Sequence, residues 1–170
     1  MFLFKLADYH QPTIYEHSGK ETVERELKKA AKMEQYLKHI RQVAPESEWA
    51  KTGEALYKRA THPYLKLESH KTLLPGRESS VTITLRNAGS IAYRIVPRHA
   101  GETTDNFNYK EVIGRKSVGK AYEIIHPEYP NPYIYKEVEL PLPTLDAGDY
   151  FVIASNNGKQ DEDTKRTSFT

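Results

Sequence analysis

The side chains with most chemistry to offer are seven histidines, His10, His17, His39, His62, His70, His99 and His126. A metal centre needs several such ligands on one face, and the usual helical device sets two histidines four residues apart, as in His-Glu-x-x-His. No two of these seven have that spacing. His62 and His126 each precede a proline in what reads as loop, so surface histidines are the simpler reading. Ser79, Ser80 and Ser155 lie outside any Gly-x-Ser-x-Gly elbow, which argues against a nucleophilic triad. Gly114 and Gly119 fit no phosphate-cradling loop. Asn156, Asp161 and Asp163 offer oxygens to Ca²⁺, but their spacing lacks the glycine and terminal glutamate of an EF-hand; a solvated hairpin loop explains them better. The chain has no cysteine, which removes disulfides, thiolate nucleophiles and Cys-based zinc sites together. The expectation is a protein that is not an enzyme, with no catalytic residue, no metal and no cofactor.

One cluster remains. Tyr129, Pro130, Pro132, Tyr133 and Tyr135 put three aromatic rings in a proline-stiffened connection. Such rings stack on sugars or dock a partner, so Tyr129, Tyr133 and Tyr135 are the candidate interaction residues. The alternative is a loop that closes one end of a domain with its rings turned into the core.

The elements that must carry these residues fall into two regions. Residues 1–61 read as helix. Ser18 with Glu21 fits a capping box, and Val23, Leu27, Ala30, Met33, Leu37 and Ile40 make one apolar stripe at intervals of three or four. A second helix is expected from Ser47 to Ala60, with Trp49, Gly53, Leu56, Tyr57 and Ala60 facing its neighbour and Trp49 mostly buried. Gly53 allows the two helices to approach closely. This helical hairpin resembles the end of a tetratricopeptide-type array, since alone it is too small to bury its faces.

From His62 the period changes to two, and Leu65 and Leu67 alternate with Lys66 and Glu68 as a first strand. Val81, Ile83 and Leu85 alternate with Thr82, Thr84 and Arg86, a strand with one polar face. Ile91, Tyr93 and Ile95 continue the pattern. Further strands are expected from Val118 to His126, around Ile134, Val138 and Leu140, in the near-continuous apolar run Asp149–Ser155, and from Arg166 onward; residues 100–117 are ambiguous. Leu145-Asp-Ala-Gly148-Asp-Tyr150 has the form of a tyrosine corner, in which a hydroxyl ties a loop to the strand after it. Residues 62–170 are therefore expected to form a seven-stranded antiparallel Greek-key β-sandwich. The fold class is mainly β with an N-terminal α-helical hairpin; a small barrel is the alternative, and a lipocalin would want eight longer strands.

Bulk properties fit a globular domain. Of 170 residues, 38% are hydrophobic and 28% charged, and the net charge is +2. No basic face is clustered enough for nucleic acid. Met1-Phe-Leu-Phe-Lys5 is too short an apolar run for a signal peptide, and no stretch approaches the roughly 20 apolar residues of a spanning helix. The abrupt start reads as a fragment excised from a longer chain.

Several strings together resemble bacterial α2-macroglobulin-like proteins of the Bacteroides type. His62-Pro-Tyr-Leu-Lys-Leu-Glu68, Leu74-Pro-Gly76, Val81-Thr-Ile-Thr-Leu-Arg-Asn87 and Ile91-Ala-Tyr-Arg-Ile95 look like the opening of a macroglobulin domain, preceded by Pro45-Glu-Ser47. The run Leu140–Ser155 resembles the family's Leu-Pro-x-Leu-x-x-Gly-x-Tyr signature. The resemblance spans about residues 46–170. It implies a large periplasmic or envelope-anchored protein of chained macroglobulin domains that traps proteases. The family's thioester requires Cys-x-Glu-Gln, which this chain lacks, and no bait-like segment is present. The expectation is a non-catalytic structural domain whose partners are adjoining domains, with proteases as partners of the whole protein and no direct membrane contact. The other reading is a carbohydrate-binding or adhesion β-sandwich of a bacterial surface protein, using the tyrosine-rich loop.

Overall fold

The computed structural model describes residues 14–69, 76–104, 106, 108–126, 132–156 and 165–169. They form helices α1 (Lys20–Val43), α2 (Glu48–Thr61) and α3 (Tyr109–Gly114). The strands are β1 (Ile14–Tyr15), β2 (Tyr64–Glu68), β3 (Ser79–Arg86), β4 (Ile91–Pro97), β5 (Val118–Ile125), β6 (Ile134–Leu142), β7 (Tyr150–Asn156) and β8 (Lys165–Phe169). The fold is β-rich with helices, and its strands make two sheets, ordered β1-β6-β3-β2 and β5-β4-β7-β8. β2 with β3, β4 with β5 and β7, and β7 with β8 pair antiparallel, whereas β1 runs parallel to β6. Among the described residues no helix is long and apolar enough to cross a membrane.

The chain divides into two compact units, one within Met1–Pro63 and Tyr129–Lys136, the other within Tyr64–Glu128 and Glu137–Thr170. The first is built on α1 and α2. The stripe expected on α1 is its buried face: Ala30, Met33, Leu37 and Ile40 are buried, with Val23 and Leu27 packed beside them. Gly53 faces Leu37 so closely that a Cβ there would lie 2.9 Å from Leu37 Cδ2. Ser47 caps α2, its Oγ accepting from the Ala50 amide at 3.1 Å.

Three expectations for this unit are corrected. Ile14–Tyr15 is a strand rather than helix, because the backbone pairs with Ile134–Tyr135. The Ser18–Glu21 capping box does not form; Ser18 sits in a turn with its amide on Tyr15 O, and Gly19 is the N-cap with no side-chain bond. Trp49 is 41% exposed rather than buried. It lies in the first turn of α2, beside a connection at which α1 has already ended, so a ring of that size finds too little to cover it.

In the second unit β3 lies between β6 and β2, and β4 and β7 are the inner strands of the other sheet. Successive side chains point to opposite faces, so the register of β4 with β7 sorts them. Tyr93, Ile95, Val152 and Ala154 share one face. Arg94, Val96, Phe151 and Ile153 share the other. The Tyr93 hydroxyl donates to Pro141 O on β6 at 3.2 Å, so the first of these faces looks toward the other sheet. The second face is covered by Val112 of α3, which is fully buried against Val96, Phe151 and Ile153. Covered on both sides, β4 and β7 are apolar along nearly their whole length, as expected for β7. The polar face expected on β3 is a further correction. Thr82 is half-buried, but Thr84 and Arg86 are buried. β3 is an interior strand, with Lys66 opposite Thr84 and Tyr64 opposite Arg86.

Candidate interaction surface

The tyrosine cluster separates into three fates. Tyr129 lies outside the described residues. Tyr133, expected at an interaction surface, is instead 3% exposed in the core of the first unit, among Met33, Leu37 and Ile134. Its hydroxyl donates to Glu34 Oε1 of α1 at 2.6 Å. Burial, reinforced by the carboxylate, pushes its ionisation well above the ordinary phenol range. A tyrosine here delivers an apolar ring to the core and keeps its hydroxyl on a partner at the rim, which removes it from the candidate surface.

Tyr135 remains a candidate. The parallel pairing of β1 with β6 places it opposite Tyr15, and the two rings stack with centroids 5.1 Å apart and planes 24° apart. His17 continues the row at 5.4 Å from Tyr15. Tyr15 is 38% exposed, and His17 is exposed. On the intervening residues, Lys136 pairs with Glu16 at 3.4 Å. The result is a short aromatic row carried by β1 and the start of β6. Sequence reasoning reaches Tyr135 but misses Tyr15 and His17, because a two-residue strand leaves no periodicity to read.

The corner residues belong to the second unit. The Tyr150 hydroxyl donates to Asp146 O at 3.1 Å. A Cβ at Gly148 would lie 3.3 Å from that hydroxyl, which explains a glycine there. Leu145 is buried, and its carbonyl accepts from the Gly76 amide at 3.0 Å.

The described histidines, His17, His39, His62, His99 and His126, are all exposed; His10 and His70 lie outside the described residues. His99 forms a group with Glu102 and Glu111 whose ligand atoms lie within 4.8 Å of one another. A guanidinium already serves its carboxylates. Arg115 Nη1 donates to Glu102 Oε2 at 2.7 Å, and its Nη2 donates to Glu102 Oε1 at 2.5 Å and to Glu111 Oε1 at 2.9 Å. The Arg115 bonds, chiefly, hold the Glu102 carboxyl down at about 2. The fork satisfies both carboxylates, so the group reads as an ion-pair network. Its signal in the sequence is the i,i+4 pair Glu111–Arg115.

The other candidates come apart. Ser155 is buried, and Ser80 donates its hydroxyl to Glu139. Asn156 Oδ1 accepts from the Gly89 amide at 3.0 Å, while Asp161 and Asp163 lie outside the described residues. Gly114 ends α3, and Gly119 follows with φ 78°.

No family model matches the chain, and no curated protein matches it. Among solved structures, it is similar to a variant of a superoxide reductase (neelaredoxin) from Ignicoccus hospitalis. That match has 15% identity and a TM-score of 0.33, covering 68% of this chain and 82% of that one. A likeness of this size carries no functional argument.

Proposed function

We propose that the chain is a non-catalytic structural piece of an α2-macroglobulin-like cell-envelope protein, with a helical segment leading into one macroglobulin domain. The observation that supports this reading best is the strand order of the second unit. β2, β3 and β6 share one sheet, while β5, β4, β7 and β8 make the other. The chain changes sheet after β3, after β5 and after β6, the manner of a seven-stranded Greek-key sandwich. The hydroxyl bond of Tyr150 to Asp146 O stands just before β7, where a tyrosine corner belongs. Adjoining domains of the parent protein are the partners of this piece, and the periplasm or envelope is its place. Capture of a protease belongs to the whole protein: one sandwich can neither enclose an enzyme nor store the conformational change that closes a trap.

The parent protein and the isolated chain are each incubated with a panel of proteases, and cleavage of large and small substrates is compared. The parent is expected to block large substrates and spare small ones, and the isolated chain to do neither. A parent that inhibits nothing, or an isolated chain that traps by itself, overturns the reading.

A second reading, a carbohydrate-binding or adhesion module, is favoured by one observation, the row in which exposed Tyr15 and His17 continue half-buried Tyr135. Glycan-array binding that is lost in Tyr15→Ala supports it, and an array without signal removes it.

A further inference from the structure

Helix α1 has a second face. At about 100° per residue, Lys28, Lys32, Gln35, His39 and Gln42 fall within an arc of about 80°. That arc lies away from the buried Ala30, Met33, Leu37 and Ile40. All five residues are exposed. Lys38 borders the arc on one side. Tyr36, half-buried, and Val43, 69% exposed, border it on the other. Gln35, Tyr36, Lys38, His39 and Gln42 line a groove of about 330 Å³.

The charge along this face is one-sided. From Leu27 to Pro45 the sequence holds Lys28, Lys29, Lys32, Lys38 and Arg41 against one acid, Glu34. Glu34 is engaged elsewhere, its Oε1 accepting from the Tyr133 hydroxyl at 2.6 Å. Lys29 is held by Glu26 at 2.9 Å, and Arg41 pairs with Glu54 of α2. Among the described residues, Lys28, Lys32 and Lys38 have no carboxylate partner. The helix dipole accounts for cations in the last turn alone. Arg41 stands there, whereas Lys28 and Lys32 do not.

We propose that this face docks an extended acidic segment of another protein, with carboxylates on Lys28, Lys32 and Lys38 and two apolar side chains on Tyr36 and Val43. Tyr36 and Val43 are about 10 Å apart along the axis, the span of about three extended residues. Lys28 to Val43 covers about 22 Å, the reach of about seven. The carboxamides of Gln35 and Gln42 both donate and accept, which suits the main chain of such a segment. A lipid surface suits the face less well, because an interfacial helix inserts its apolar side and that of α1 is in the core. Nucleic acid wants more phosphate contacts than three lysines give. The surface requires no particular parent protein, so it stands or falls apart from the protease test above.

The test is fluorescence anisotropy of a labelled peptide, Asp-Glu-Leu-Asp-Glu-Phe-Asp-Glu, titrated with the full chain at low salt. Saturable binding is expected, weakened severalfold when added salt screens the charges. Lys32→Glu with Lys38→Glu should weaken it on the order of tenfold, through two attractions turned to repulsions. Val43→Ala, or glycine in place of the peptide's Leu and Phe, should weaken it by a smaller factor. Lys116→Glu with Lys120→Glu makes the same change of net charge at exposed sites of the second unit and should leave binding unchanged. Circular dichroism checks that each variant is folded; if the charge-reversed α1 does not fold, Lys32→Gln with Lys38→Gln decides. No saturable binding, or equal weakening by the two pairs of reversals, would overturn the proposal. So would tighter association with phosphatidylserine vesicles than with the peptide, which would assign the face to a membrane surface.

Discussion

Gly53→Ala should be destabilising in spite of helix propensity, and the loss should vanish when Leu37 is shortened. The added Cβ would lie 2.9 Å from Leu37 Cδ2, against an unstrained carbon–carbon separation of about 3.5–4.0 Å. Something must therefore yield by roughly 0.6–1 Å. Leu37 is 5% exposed among Met33, Ile40 and Leu56, so it cannot swing into water. Overpacking of this kind costs about 1–3 kcal/mol, while alanine in place of an interior helical glycine returns about 1 kcal/mol. The net loss is about 1 kcal/mol. Leu37→Ala alone should cost about 2–5 kcal/mol through the cavity it leaves. In the double variant the new methyl enters that cavity, so the double loss should be smaller than the sum of the single losses by about 1–2 kcal/mol. Urea unfolding followed by the fluorescence of Trp49, the sole tryptophan and a residue of α2, completes the cycle. Additivity within about 0.3 kcal/mol, or a Gly53→Ala protein more stable by the whole propensity gain, would refute the close-approach argument.

Glu102 titrates at about 2 when folded, below its ordinary 4.5, chiefly because Arg115 bonds it. Its contribution is therefore complete above pH 4.5 and lost as pH falls toward 2; urea midpoints of the native chain and of Glu102→Gln should differ at about pH 7 and converge at about pH 2. Tyr133 moves the other way, its folded ionisation raised from 10.0 by burial and Glu34, so its contribution holds below about pH 10 and falls above it; absorbance of phenolate should show fewer groups ionising at high pH in the native chain than in Tyr133→Phe plus one free tyrosine. Tyr150→Phe removes the bond to Asp146 O and should cost about 1 kcal/mol, read as a fall in melting temperature of about 2–4 °C for a chain of this size; an unchanged melt would mean that the corner bond contributes nothing.

Much of this architecture can be read from periodicity. The stripe of α1 and the alternation from Val81 to Leu85 are long enough to declare a face, and the bond of Tyr150 falls within its Leu145–Gly148 signature. What escapes reading is decided by tertiary pairing. A two-residue strand has no period, so β1 and its stack of Tyr15 on Tyr135 are invisible. Residue type puts Thr84 and Arg86 on a wet face, but an interior strand with long neighbours covers them. A proline-rich loop suggests a surface for Tyr133, whereas its ring has a core to fill. Trp49 shows the opposite error: its position on the helix face is plausible, but the neighbouring helix has already ended.

The pairing of Ile14 with Ile134 joins residues about 120 positions apart. Tyr133 and Ile134 then sit in the same core as α1 and α2. That separation sets an order of events. Closing so long a loop is entropically slow, and on a ribosome the closing residues emerge only after β2 to β5 have been made. The helices can form early, but the unit that comes first along the chain must wait for residues beyond most of the other unit before its core is whole. Until then the apolar stripe of α1 lacks two of its partners, and that interval is when a holding chaperone, or a neighbouring chain, would find it.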